Sequence, residues 1–220
     1  MSYHPKYEML QAYVYSELTP VDGFALATHI ESCPQCQQHV VKIEEQAGLE
    51  LETMQVEESF DMSVIFDRIV ALDPCDEPIR IARKPRIVEV NGRQFSLPLT
   101  LSRFSDDIGE WKSYGGKVFS APINLMEGAR VNLLYITAGV NIPQHTHKGF
   151  ESTLVLHGSF SDEEGEYYAG DYLLKDSSIK HSPFTKQGED CLCLTFLTEP
   201  MLFTQGVARI FNRFGKGLYP

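Results

Sequence analysis

The chain has 220 residues, 43% hydrophobic and 22% charged, which suits one large or two small globular domains; no apolar run approaches the roughly 18 residues that cross a bilayer. Its net charge of -11 is uneven, with 13 acidic and 3 basic side chains in residues 1–73 against 17 and 16 in the remainder. An acidic front end repels phosphate, which argues against direct nucleic-acid binding and fits either a basic partner or a solvated face.

The start, MSYHPKYEML, lacks the basic and apolar regions of a signal peptide, so a cytoplasmic location without membrane contact is expected. From Tyr7 to Leu18, Met9, Leu10, Tyr13, Val14 and Leu18 recur at helical spacing. Thr19-Pro20 closes this helix, and Thr19 caps a second one over Val21–Ser32. Pro34 opens a third helix running towards Gly48. An acidic stretch, Glu44–Asp61, leads to a fourth helix with Phe60, Val64, Ile65, Ile69 and Leu72 on one stripe. These elements form a helical domain over 1–74, and the proline-rich stretch 75–85 reads as a linker. Residues 86–220 read as strands, starting with a hairpin of Ile87–Val90 and Arg93–Leu97 around Asn91-Gly92. Further strands are expected at Val131–Ile136, Glu151–Leu156, Glu166–Tyr168, Asp171–Leu174, Cys191–Leu197 and Ala208–Phe211, which implies a sandwich or barrel.

Two constellations carry metal chemistry. His29, Cys33 and Cys36 form H-x3-C-x2-C, with His29 and Cys33 one helical turn apart and Cys36 in the first turn of the next helix. A structural zinc needs a fourth nitrogen or sulfur donor; His4 supplies it, with His39 as the competing position. A metal staple suits a helical unit whose core is small.

Gly139, His145, His147, Glu151 and Gly158 form G-x5-H-x-H-x3-E-x6-G. Side chains two apart in a strand share a face, so His145 and His147 point together into a barrel, and Glu151 keeps the same parity. Gly170-Asp171 opens a later strand, and His181 follows as a fourth ligand. Three imidazoles and a carboxylate can bind Zn2+, Fe2+, Mn2+, Cu2+ or Ni2+, and spacing does not choose among them. Four protein ligands leave zinc no open tetrahedral position, which favours sensing or structure over hydrolysis. His157 shares strand parity with Glu151 and is read as a hydrogen-bonded rim residue.

An N-terminal histidine followed by H-x3-C-x2-C between short helices resembles the zinc-binding domain of bacterial anti-sigma factors, and the second constellation resembles the cupin motifs. That order over the whole chain is similar to the ChrR family. The resemblance implies an α+β chain: a small all-α zinc domain, then a cupin β-barrel of jelly-roll type. It also implies zinc in both sites, a helical domain that holds an extracytoplasmic-function sigma factor, and a barrel that releases it on an oxidative signal, singlet oxygen or an organic hydroperoxide. No catalysis is required. One departure is Asp176, which stands where many cupins carry proline, so the turn before His181 is expected to differ. The rival reading is a metal-dependent cupin enzyme, a dioxygenase or isomerase, with an accessory helical domain.

The five cysteines, grouped as Cys33/Cys36, Cys75 and Cys191/Cys193, do not resemble a secreted disulfide framework. Cys191 and Cys193 share one face of a strand. They are either an oxidant-sensing pair near the cupin metal or two small buried packing residues.

Overall fold

The computed structural model describes residues 1–54, 62–72, 84–125, 130–205, 209 and 212. The expected linker 75–85, Cys75 within it, Phe60 and most of the expected strand Ala208–Phe211 therefore lie outside the described residues, apart from Lys84, Pro85 and Arg209.

Four helices come first: α1 (Tyr7–Val14), α2 (Pro20–Ser32), α3 (Pro34–Thr53) and α4 (Ser63–Val70). The first helix ends a turn earlier than its apolar spacing suggests. Ser16 takes a left-handed φ of 58°, and the Glu17 amide closes back on the Ala12 carbonyl at 2.8 Å. The second helix begins as expected, with the Thr19 hydroxyl accepting from the Asp22 amide. The third runs past Gly48 to Thr53. A single helical glycine costs only about 1 kcal/mol, and Glu50 just beyond it accepts from the Gln46 side-chain amide and the Tyr15 hydroxyl.

The sheet region contains β1 (Ile87–Val90), β2 (Arg93–Ser96), a short helix α5 (Leu99–Ser102), β3 (Lys112–Tyr114), β4 (Val118–Ile123), β5 (Val131–Ile136) and β6 (His145–His147). It continues with β7 (Glu151–Ser161), β8 (Glu166–Tyr168), β9 (Tyr172–Lys175), β10 (Cys191–Leu197) and β11 (Met201–Phe203). Asn91 and Gly92 both have positive φ, the geometry of a tight hairpin turn. The main sheet has the order β3-β4-β5-β10-β7-β8, with β9 also on β7, and β6 pairs with β11; every pairing is antiparallel. This is a cupin barrel behind a helical unit, the α+β architecture the sequence implies.

A bulge in β7 decides where side chains point. Leu192 pairs with His157 while Cys193 pairs with Val155, so Leu156 is an extra residue and the facing alternates the other way beyond it. Glu151 and Thr153 face the interior before the bulge, and Phe160 does so after it. His157 is thereby turned outward, its ring against Phe95 and its Nε2 3.8 Å from Asp190.

The two faces of β10 serve different cores. Leu192, Leu194 and Phe196 join a cluster with Leu10, Ala25, Leu26, Val40 and Ile43 of the helices, whereas Cys191 and Cys193 pack inside the barrel with Val155, Phe160, Tyr167 and Leu173. The helices thus cover the outer face of the sheet and share its core. Phe24 meets Phe196 edge-on, and the Glu31 carboxylate accepts from the Leu99 and Thr100 amides at 2.6 and 2.7 Å. Helix α4 behaves differently: none of its residues is buried.

Two candidate metal centres

The helical cluster is assembled from three pieces of chain. Cys33 ends α2 and caps α3, Pro34 starts α3, and Cys36 lies in its first turn; His29 sits one turn back on α2. His4 arrives on the N-terminal arm, which is fastened to the barrel. The Ser2 and Tyr3 amides donate to Asp171 Oδ1 at 2.6 and 3.1 Å, and the Tyr172 amide donates to the Tyr3 carbonyl at 3.0 Å. Asp171 is fully buried, and its other oxygen accepts from the Tyr168 amide. Asp171 and Tyr172 therefore anchor the arm that carries His4.

The four donor atoms converge. His29 Nε2 lies 3.3 Å from Cys36 Sγ, and His4 Nδ1 lies 3.3 and 3.6 Å from Cys33 and Cys36 Sγ. A tetrahedral zinc, with bonds of about 2.0 Å to nitrogen and 2.3 Å to sulfur, separates N and S ligands by about 3.5 Å. The cluster fits it. Burial lowers the His29 pKa to about 4, and burial followed by the Cys33 contact raises that of Cys36 to about 12. His39 is outside this group, its ring edge-on to Tyr7.

The second cluster, His145, His147, Glu151 and His181, stands on the barrel wall, its four ligand atoms within 4.8 Å of one another. Pairing of β6 with β11 and the antiparallel bridge between His145 and His181 set three imidazoles in place. His147 Nε2 is 3.0 Å and His181 Nε2 3.7 Å from Glu151 Oε2. The outer nitrogens are mostly engaged: His145 Nδ1 is 3.0 Å from the Pro143 carbonyl and His181 Nδ1 3.1 Å from Asp162 Oδ2. His147 Nδ1 is buried without a hydrogen-bond partner, and the buried Nε2 atoms of His147 and His181 face only the shared Glu151 carboxylate, an arrangement that a bound cation satisfies better. Burial, with a smaller push from His181, lowers His145 to about 4. Burial acts to raise Glu151, but the His147 contact and the other imidazoles outweigh it and hold the carboxylate at about 2. The donor set suits a divalent metal and does not select one.

Beside this cluster lies a cavity of about 580 Å3 with a largely apolar wall that includes Leu134, Ile136, Ile142, Met201 and Phe203. Cys193 also reaches it. The Cys191 and Cys193 sulfurs are buried and 3.4 Å apart, and that contact together with burial holds Cys191 firmly as a thiol. In the turn before His181, the Asp176 side chain accepts from the Ser178 amide at 2.8 Å.

Sequence reasoning missed Asp162. Its side chain has no exposure, and it accepts from the Tyr167 hydroxyl at 2.9 Å and pairs with Lys175 at 3.0 Å as well as facing His181. Lys175 also pairs with Glu164. Burial opposes the charge on Asp162, but the His181 and Lys175 contacts keep it ionised well below the usual range. Within the run Asp162-Glu163-Glu164 no pattern marks the first as the buried one.

Residues 107–200 match the family model of the ChrR cupin-like domain. Anti-sigma-E factor ChrR of Cereibacter sphaeroides is 28% identical over 215 residues, 96% of this chain and 97% of that protein. The crystal structure of Rhodobacter sphaeroides SigE in complex with the anti-sigma ChrR contains a chain that superposes with a TM-score of 0.68 at 27% identity, covering 89% of this chain and 98% of that one. An RmlC-like cupin protein of Ralstonia eutropha covers 53% of this chain at 17% identity, with a TM-score of 0.41. Residues 107–200 match a ChrR cupin-like domain, and the chain as a whole, with a His–Cys cluster in the helices ahead of that domain, is similar to anti-sigma-E factor ChrR over nearly its full length.

Proposed function

We propose that this chain is a cytoplasmic anti-sigma factor that holds an extracytoplasmic-function sigma factor on its helical unit and releases it when the cupin barrel receives an oxidative signal. The observation that carries this reading is the end-to-end likeness to an anti-sigma protein, extending from the helices through the barrel. An exposed surface of suitable chemistry supports it. On α4, Val64, Phe66, Ile69 and Val70 are all at least 60% exposed, and Leu49, Leu51 and Met54 are exposed at the end of α3. This surface lies in the acidic front section, which attracts a basic, DNA-binding partner and speeds its capture.

In this reading His4, His29, Cys33 and Cys36 hold one zinc as a structural staple, and His145, His147, Glu151 and His181 hold a second metal, most simply zinc. A metal would supply cross-linking at the first site and a ligand-bound cation beside the cavity at the second. The helical domain is 1–74 and the cupin domain 86–220, joined by 75–85. The protein is a regulator and not an enzyme, because four protein ligands close a tetrahedral zinc. The apolar cavity favours one rival, a cupin dioxygenase or isomerase, which requires turnover of an organic substrate.

Co-expression with the candidate sigma factor tests the proposal. A stable complex that blocks transcription by the matching RNA polymerase holoenzyme supports it. An inert mixture, or oxygen consumption with bound iron, overturns it. No described helix is long and apolar enough to cross a membrane.

A further inference from the structure

The helices and barrel are joined by more than packing. Asp162 touches the barrel ligand His181 through Oδ2, while Oδ1 accepts from the Tyr167 hydroxyl. The Tyr167 ring meets Tyr3 edge-on at 4.8 Å between centroids. Tyr3 is next to His4, and both its backbone polar groups are fixed to the barrel at Asp171 and Tyr172. Strand β9 runs parallel to this route. Lys175 at its end pairs in register with Glu151 and forms an ion pair with Asp162, while Tyr172 at its start lies 5.9 Å from the His29 ring. One short strand therefore reaches ligands of both clusters, and one buried carboxylate touches a barrel ligand and, through two tyrosine rings, the arm that carries His4.

We propose that Asp162 is a positioning residue that sets His181 for the barrel metal and, through Tyr167 and Tyr3, sets the arm carrying His4, so that each metal site senses whether the other is filled. The inference rests on the reading that both clusters hold metal. A ligand such as His181 changes its demand on Asp162 when its Nε2 gains or loses a cation. Asp162 then shifts its grip on the Tyr167 hydroxyl, and the ring on which Tyr3 rests moves with it. Coupling of this kind is reciprocal: a cation in the helical site must favour the barrel site by the same factor.

The test uses the full-length chain and cobalt as the probe. Of the two clusters, the helical one has cysteine ligands and the barrel one has none, so a sulfur-to-metal charge-transfer band reports cobalt in the helical cluster, and its affinity is measured by chelator competition. The barrel site is emptied with H147A. In the otherwise unaltered chain, H147A is expected to change cobalt affinity at the helical site by about fivefold or more. In a Y167F background, which keeps the ring but removes its hydroxyl, the same H147A change is expected to have no effect. D162N is expected to weaken metal binding at the barrel site about tenfold or more and to move the helical site in the direction H147A does. A purely structural Tyr167 lowers stability yet leaves the H147A shift intact, which overturns the proposal, as does the absence of any shift in the unaltered chain. Should Y167F not fold, D162N carries the same comparison. A chain that bound cobalt at neither cluster refutes the metal reading itself, whereas two filled but independent sites refute only the coupling.

Discussion

The two metal clusters are built in opposite ways. The helical cluster is gathered from an arm, a helix end and a helix start, and its ligands bring together pieces fastened separately, the arm to the barrel at Asp171 and Tyr172 and α3 to α2 through Gln37 and Ile30. The barrel cluster sits on a hydrogen-bonded sheet, where strand pairing fixes His145, His147 and His181 with or without an ion. The first is closed by two thiols against the barrel wall; the second borders an apolar cavity. A site that organises its own surroundings is suited to structure, and a site organised by its surroundings is free to answer a signal. The difference supports the proposed division, with a staple in the helices and a sensor in the barrel.

The largest effect that tests this contrast is removal of a thiol. Cys36→Ala should abolish the helical zinc, destabilise the helical unit by at least about 4 kcal/mol and release the sigma factor, measured by denaturant unfolding and by complex formation. If the variant stayed folded and inhibitory, the helical site would not be a staple. Gly158→Ala comes next. A Cβ there would stand 1.8 Å from the Asp190 carbonyl on a residue with φ of 69°, so a loss of roughly 3 kcal/mol confined to the barrel is expected in thermal unfolding.

Glu151→Gln should weaken metal binding in the barrel about tenfold or more, while the helical zinc stays bound, its affinity changed only by the coupling between the sites, and the sigma complex persists. Release on oxidant would then fail. A complex that fell apart without oxidant would make the barrel metal a second staple.

Acid sharpens the comparison in the metal-free chain. His29 and His145 both sit near 4 when folded, below the unfolded value near 6.5, so the unfolded state binds more protons between those limits. Stability should be complete above about pH 6.5 and fall as pH drops towards 4, by a total of a few kcal/mol. A flat denaturation midpoint over that window would contradict the burial of these rings.

The smallest effect expected is that of Cys191→Ser with Cys193→Ser. Both thiols are buried, and the Cys193 contact together with burial keeps Cys191 a poor nucleophile, so oxidant-triggered release should be unchanged, at a cost of about 1–2 kcal/mol in stability. Loss of release would identify them as the sensor.

Much of this architecture is legible in the chain. Strand parity places His145, His147 and Glu151 together, and helix spacing places His29, Cys33 and Cys36 together, because both rules are local. What escapes is set by distant partners. The bulge at Leu156 turns His157 outward, and nothing in its own neighbourhood announces an extra residue opposite Leu192 and Cys193. Strand β4 hides behind Pro122, which is tolerated because β3 pairs only as far as Ser120. The apolar stripe of α4 looks like core from its spacing, yet no described part of the chain covers it. Asp162 is one acid in an acidic run until the fold brings His181, Tyr167 and Lys175 to it.

The most direct test of the central claim is native mass spectrometry of the full chain co-expressed with its sigma factor, before and after oxidant. The account predicts a one-to-one complex with one zinc at the thiolate site and one metal in the barrel, dissociating on oxidant with the thiolate zinc still bound. A chain that formed no complex, or that shed the thiolate zinc while the barrel metal stayed unaffected, would contradict it.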